Sequence, residues 1–122
     1  MFTVITYQDG HGKDEVAEYI LSLNEKAHSS KDARIKLKKI LEYMGLLKAY
    51  GVSVGKPAID HITGTELWEL RPTTDRFFFA YWRDDTFVVL HHFVKKTQKT
   101  PPREIETALK KLKDFLERTE QA

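Results

Sequence analysis

The chain has 122 residues, of which 41% are hydrophobic and 31% charged, with a formal net charge of +2. That composition and length describe one ordinary globular domain, residues 1–122, and exclude a disordered chain or a coiled coil. The absence of cysteine excludes disulfides, thiolate nucleophiles and cysteine-bound zinc, and no apolar run approaches the roughly 20 residues that span a bilayer.

Phe2 to Tyr7 is β-branched and aromatic and runs into Asp9-Gly10-His11-Gly12, which predicts a strand ending in a turn. The segment lacks the basic start and long apolar stretch of a secretion signal, so the protein is expected in the cytoplasm and off the membrane. Val16, Tyr19, Ile20, Leu23 and Ala27 recur at helical spacing and predict a helix from about Lys13 to Lys26. Ser30 reads as the N-cap of a second helix, whose buried stripe is Leu37, Ile40, Leu41, Met44 and Leu47 and whose end falls near Tyr50-Gly51, with Gly51 just past it. Residues 51–64 carry three glycines and a proline without periodicity and read as a loop.

Three strands follow, Thr65–Arg71, Arg76–Trp82 and Thr86–Lys95, joined by links short enough for hairpins. Phe77–Trp82 and Phe87–Leu90 are continuous apolar runs, which predicts strands covered on both faces. Thr100-Pro101-Pro102 then starts a helix, with Thr100 as N-cap. Its apolar stripe is Ile105, Ala108, Leu109, Leu112, Phe115 and Leu116, and the last few residues, to Ala122, read as frayed. The order strand, helix, helix, three strands, helix is that of an α+β domain.

Charge is distributed unevenly. Residues 31–48 hold six bases against two acids, and residues 86–103 hold Lys95, Lys96, Lys99 and Arg103 with no acid, whereas the first thirty residues are net acidic. Two basic blocks suit a polyanion partner where the fold exposes them together. The five histidines show no zinc-helix spacing, and adjacent His91 and His92 on a strand point to opposite faces, so no metal site is expected. Gly51 to Pro57 has a lysine after a glycine but neither the spacing nor the hydroxyl of a phosphate-binding loop. Arg71 and Arg76 flank one short turn and are placed to converge on a single anion, which guanidinium groups bind in a planar, bidentate way. Cutting RNA needs charge stabilisation at the phosphate and proton transfers at the 2′-hydroxyl and the leaving oxygen. Arginine and lysine meet the first need, and His91, His92, Glu69 or a perturbed lysine the second. Trp68, Phe77, Phe79, Phe87 and Phe93 read as core, while one of Tyr81 and Trp82 must point away from any single core face.

Leu67-Trp68-Glu69-Leu70-Arg71, then Arg76-Phe77-Phe78-Phe79, then Leu90-His91-His92-Phe93-Val94-Lys95-Lys96-Thr97-Gln98-Lys99-Thr100-Pro101, together resemble the RelE/HigB superfamily of toxins from bacterial toxin–antitoxin systems, and its phage-derived branch most of all. The resemblance covers roughly the C-terminal half. It implies an antiparallel sheet, made of the N-terminal strand and the C-terminal meander, packed with two N-terminal helices and one C-terminal helix. It implies an endoribonuclease, an mRNA interferase that enters the ribosomal A site and inhibits translation by cutting the message with the RNA's own 2′-hydroxyl, without metal or other cofactor. By the same resemblance Arg71, Arg76, Lys95, Lys96 and His91 are the catalytic positions, with Lys99, His92 and Tyr81 as RNA contacts. His92 falls where the superfamily more often has a small residue. The implied partners are the ribosome, mRNA and a cognate helix-turn-helix antitoxin. The superfamily also contains ParE-like members that inhibit DNA gyrase by binding it and cut no RNA, which is the alternative function.

Overall fold

The computed structural model describes residues 1–120. The chain runs β1 (Thr3–Thr6), α1 (Glu15–Lys26), α2 (Lys31–Tyr50), a short 3-10 helix (Gly51–Val54), β2 (Ile59–His61), β3 (Trp68–Leu70), β4 (Asp75–Tyr81), β5 (Thr86–Val94) and α3 (Pro102–Glu120). The strands form one sheet in the order β1-β5-β4-β3-β2. The expected α+β arrangement is present, with the N-terminal strand and the meander in a single sheet.

The sheet is mixed, however, not antiparallel throughout. β2 to β5 form an antiparallel meander, while β1 runs parallel to β5, pairing Thr3 with Thr86 and Thr6 with Val89. No hairpin sets the direction of β1, because two helices and the whole meander separate it from its neighbour in sequence. The stretch expected as a loop contains the 3-10 helix and the three-residue β2. A strand that short has no period to read, and only its pairing with β3 defines it.

Side-chain caps fix the helix starts. Asp14 accepts the Ala17 N–H at 2.9 Å, and Ser30, as expected, accepts the Ala33 N–H at 3.2 Å. α3 begins at Pro102, so a proline does hold its first position, but Thr100 is not the cap: its hydroxyl faces Glu69 Oε2 at 3.4 Å. α3 stays helical to Glu120, and any fraying at Gln121 and Ala122 lies outside the described residues. No helix among the described residues is long and apolar enough to cross a membrane.

α1 and α2 pack on one face of the sheet, around Val16, Leu23, Ile40, Leu47, Phe77, Phe79, Phe87 and Val89. α3 packs on the other, through Ala108, Leu112 and Phe115 against Phe78, Ala80, Val88, Leu90 and Phe93. β4 and β5 are thus covered on both sides, as their apolar runs predict. Ile40 and Leu47 of the expected α2 stripe are fully buried, but Leu41 is 56% exposed, because α2 meets the sheet along one side only. At the edge of the α3 layer the Tyr7 hydroxyl donates to Asp114 at 2.6 Å, and Arg118 Nε donates to the same carboxylate at 2.9 Å.

β4 and β5 slip by one residue. Phe78 faces His91, whereas Phe79 faces Val89, so Leu90 is an extra residue in β5. This β-bulge reverses the alternation beyond it. His91 then falls on the α3 face with Leu90, and His92 on the α1 face.

Gly51 closes α2 with φ 63° and ψ −150°, and a Cβ there would meet the Phe2 ring at 2.8 Å. That conformation is almost restricted to glycine. Gly51→Ala is expected to destabilise the fold by about 1–3 kcal/mol. Gly45→Ala, at an exposed site inside α2 with nothing within 4 Å, should instead stabilise it by up to about 1 kcal/mol. Denaturant unfolding of both variants checks the pair.

Candidate functional site

The end of β3 and the start of β4 hold a charged cluster on the α3 side of the sheet. Glu69 lies at its centre, completely buried. Its Oε1 accepts from Arg71 Nε at 2.6 Å, and Arg71 reaches on to Asp60 Oδ2 of β2 at 3.2 Å. Arg76 lies beside this pair: burial lowers the proton affinity of its guanidinium, and the Glu69 charge works the other way. Arg76 Nη1 donates to the Thr73 and Asp75 carbonyls, while its Nε is buried without a partner. Arg71 and Arg76 do not converge on one anion as their spacing suggests: Arg71 pairs with the Glu69 carboxylate of the protein itself, whereas Arg76 is held by the Thr73 and Asp75 carbonyls. Burying Glu69 without a partner would be costly, so Arg71 is in part structural, and Arg76 is bound to the strand ends through its two carbonyl contacts.

The two histidines occupy separate environments. His92 stacks on Tyr19 at 3.7 Å between ring centroids and donates from Nε2 to Asp75 Oδ1 at 2.8 Å. The Tyr19 hydroxyl donates to the same oxygen at 2.6 Å. Burial opposes the Asp75 charge, but the bonds from His92 and Tyr19 prevail and hold its carboxyl below the usual range. Burial together with this carboxylate pushes the Tyr19 hydroxyl well above the ordinary tyrosine value. His92 therefore joins α1 to the sheet, away from the α3 side where Glu69 and its arginines lie.

His91 is buried under α3. Its Nε2–H donates to Glu104 Oε1 at 3.1 Å, and its Nδ1 accepts from the Lys111 ammonium at 2.9 Å. Lys111 also reaches Glu15 of α1 at 3.0 Å. Burial pushes the His91 imidazole below its ordinary value, the Glu104 bond opposes this, and the Lys111 charge adds to it. The ring is consequently neutral, with its proton on Nε2.

Glu104 opens onto a groove of about 450 Å³ between the end of β5 and the start of α3, lined also by Phe93, Lys96, Thr97, Pro101 and Arg103. Among the described residues no carboxylate pairs with Lys95, Lys96, Lys99 or Arg103. Lys96 and Lys99 are exposed, and Lys95 is held by its N–H to the Thr74 carbonyl at 2.9 Å. Of the cations expected at the end of the last strand, Lys96 lines the groove, where Arg103 joins it, while Lys95 and Lys99 are not among the lining residues. Tyr81 is not part of this site. It ends β4, at the opposite end of the strand from Arg76, packed edge-on against Phe87 with its hydroxyl accepting the Asp85 N–H.

Sequence reasoning overlooked Asp60, Glu104 and Lys111, and placed Arg103 in a basic block without assigning it to the site. Glu104 and Lys111 are seven residues apart, two helical turns, and share the α3 face of Ala108 and Phe115, so their spacing carried a readable signal. Asp60 had none, because β2 itself had none.

A family model described as phage derived protein Gp49-like (DUF891) matches residues 18–113, from α1 into α3, a span that holds every groove residue. No curated protein matches the chain.

Two outcomes follow from these pairings. Arg71→Ala strands the buried Glu69 carboxylate and should cost about 2–3 kcal/mol of unfolding free energy, whereas Lys96→Ala should stay within about 0.5 kcal/mol. Because His91 binds its second proton less readily folded than unfolded, unfolding takes up a proton below the ordinary histidine value of 6.5, and stability falls as pH drops through that value. Denaturant midpoints between pH 7.5 and 5.5 should show this loss in the parent, and a smaller one in His91→Gln.

Proposed function

The chain belongs to the Gp49-like family of phage-derived proteins, and from that premise we propose that it is the RelE/HigB-like toxin of a toxin–antitoxin pair, acting as a ribosome-dependent mRNA endonuclease. One observation carries the proposal: a groove with unpaired cations, Lys96 and Arg103, beside a carboxylate that is hydrogen-bonded to a neutral histidine. The cations meet the charge of a phosphodiester and of the dianionic transition state. The carboxylate–histidine pair supplies a proton-transfer group next to them. The attacking group is the RNA's own 2′-hydroxyl, and the products are a 2′,3′-cyclic phosphate and a 5′-hydroxyl.

Lys95 and Lys99 extend the cationic strip along the RNA backbone, and Arg76 places its charge behind the groove. Arg71 acts through Glu69, shaping the strand end from which the cleft is built. The antitoxin, a small helix-turn-helix protein, covers the outer surface of α1 and α2. Leu21, Ile35, Leu41 and Tyr50 are exposed there, among Lys31, Arg34, Lys38 and Lys39, and apolar residues rimmed by charge suit a protein partner.

Primer extension on translated messages tests the function. The parent chain should cut within codons, and Lys96→Ala with Arg103→Ala should slow cutting by about a hundredfold or more. The same double variant should flatten the salt dependence of ribosome binding, because each lost phosphate contact removes counterion release. Intact messages together with blocked DNA supercoiling would replace this function with the ParE-like one.

A further inference from the structure

The histidine expected to perform the chemistry is in the wrong place to touch a substrate. His91 is 8% exposed, and both of its ring nitrogens are engaged, one by Glu104 and one by Lys111. The group that reaches the groove is the Glu104 carboxylate. Resting on the nuclease function above, we propose that Glu104 is the general base that takes the 2′-hydroxyl proton, and that His91 and Lys111 are positioning residues that hold it in place.

Four side chains in a row support this. Glu104 accepts from His91 Nε2–H, His91 Nδ1 accepts from Lys111, and Lys111 is held by Glu15 of α1 at 3.0 Å. A lysine ammonium has only donors. While Lys111 points at Nδ1, that nitrogen must be the acceptor, so Nε2 carries the ring's only proton and directs it at Glu104. One carboxylate oxygen is thereby fixed by the imidazole, in a residue that lines the groove. The arrangement orients a carboxylate through a neutral imidazole, with the lysine setting the tautomer. Glu104 also lies in the first turn of α3. Lys96 and Arg103 of the same groove are placed to hold the phosphate.

In the step itself the 2′-O–H proton passes to Glu104, and the 2′-oxygen forms a bond to phosphorus. The bond from phosphorus to the 5′-oxygen breaks. That oxygen leaves with the electron pair and takes a proton from solvent, and Glu104 returns its proton to solvent between turnovers. No oxidant, reductant or metal enters the balance.

The chain of contacts also predicts a pH signature. The charged groups facing His91 are Glu104 and Lys111 of α3 and, through Lys111, Glu15 of α1; Asp9 and Lys13 line the small pocket of about 80 Å³ on the far side of Lys111. Lys111→Met removes the cation at Nδ1 and frees that nitrogen for a second proton. An imidazolium then forms at higher pH than in the parent and weakens Glu104 as a base. The acid limb of the rate profile should move to higher pH. Lys111→Arg, which keeps a donor, should restore the parental profile.

The test is single-turnover cleavage of a defined message on programmed ribosomes by the full chain, from pH 5.5 to 9, with ribosome binding and unfolding midpoints measured alongside. Glu104→Gln still accepts from His91 and should fold and bind as the parent does, yet cut about a hundredfold more slowly or worse. If the parent cuts and Glu104→Gln cuts equally well, the base assignment is overturned and the nuclease function stands. If Glu104→Gln is slow but the Lys111→Met profile does not move, His91 and Lys111 are merely structural and that part of the proposal fails. A parent chain that cuts no message under any condition overturns the nuclease function and this inference with it.

Discussion

The central strands β4 and β5 are covered by helices on both faces, and the buried acids and histidines they carry must find their partners inside the protein, Arg76 Nε alone among the described side chains being left without one. This constraint organises the rest. Asp75 has no exposed surface and is satisfied by Tyr19 from α1 and His92 from β5. His91 is satisfied by Glu104 and Lys111 from α3. Glu69, on the neighbouring strand, is satisfied by Arg71, with Thr100 of the turn into α3 close by. Each buried polar group thus joins the sheet to what packs on it, and the positions of the helices and the satisfaction of the sheet are one problem.

The bulge at Leu90 divides these duties between the two layers. Under plain alternation from Phe87 and Val89, which face α1 and α2, His91 would turn to that layer and His92 to α3. The extra residue exchanges them. The imidazole beside α3 then meets a glutamate and a lysine two turns apart, and the imidazole beside α1 meets a tyrosine and a buried aspartate. A single inserted residue therefore decides which histidine lies next to the groove.

The groove exists because the secondary structure runs out there. β5 ends at Val94 and α3 starts at Pro102, and the seven residues between them carry three lysines with no acid. Cations in that segment are neither drawn into the sheet nor neutralised along a helix face, so their field points outward and suits a polyanion. The arginines of the β3–β4 turn differ in this respect. They are partly desolvated and committed to Glu69 and to backbone carbonyls, so much of their charge is spent on the fold.

The helices, their caps at Ser30 and Gly51, the two-sided burial of Phe77 to Phe79 and the outward-facing basic segment were all legible in the sequence, because each is a local pattern: a period, a cap residue, an apolar run or a block of like charge. The opposed faces of His91 and His92 were legible for the same reason. The parallel direction of β1, the strand at Ile59–His61 and the solvent exposure of Leu41 were not, since pairing and one-sided packing involve residues far apart in the chain. The site divides along the same line. The basic block of Lys95, Lys96 and Lys99 could be found from the distribution of charge along the chain. Only the tertiary structure decided that Arg71 serves a buried glutamate, that Tyr81 lies at the wrong end of its strand, and that Glu104 instead of His91 faces the groove. The type of a side chain is written in the sequence, but its partner is set by the register of the sheet, and one residue of slip at Leu90 is enough to change it.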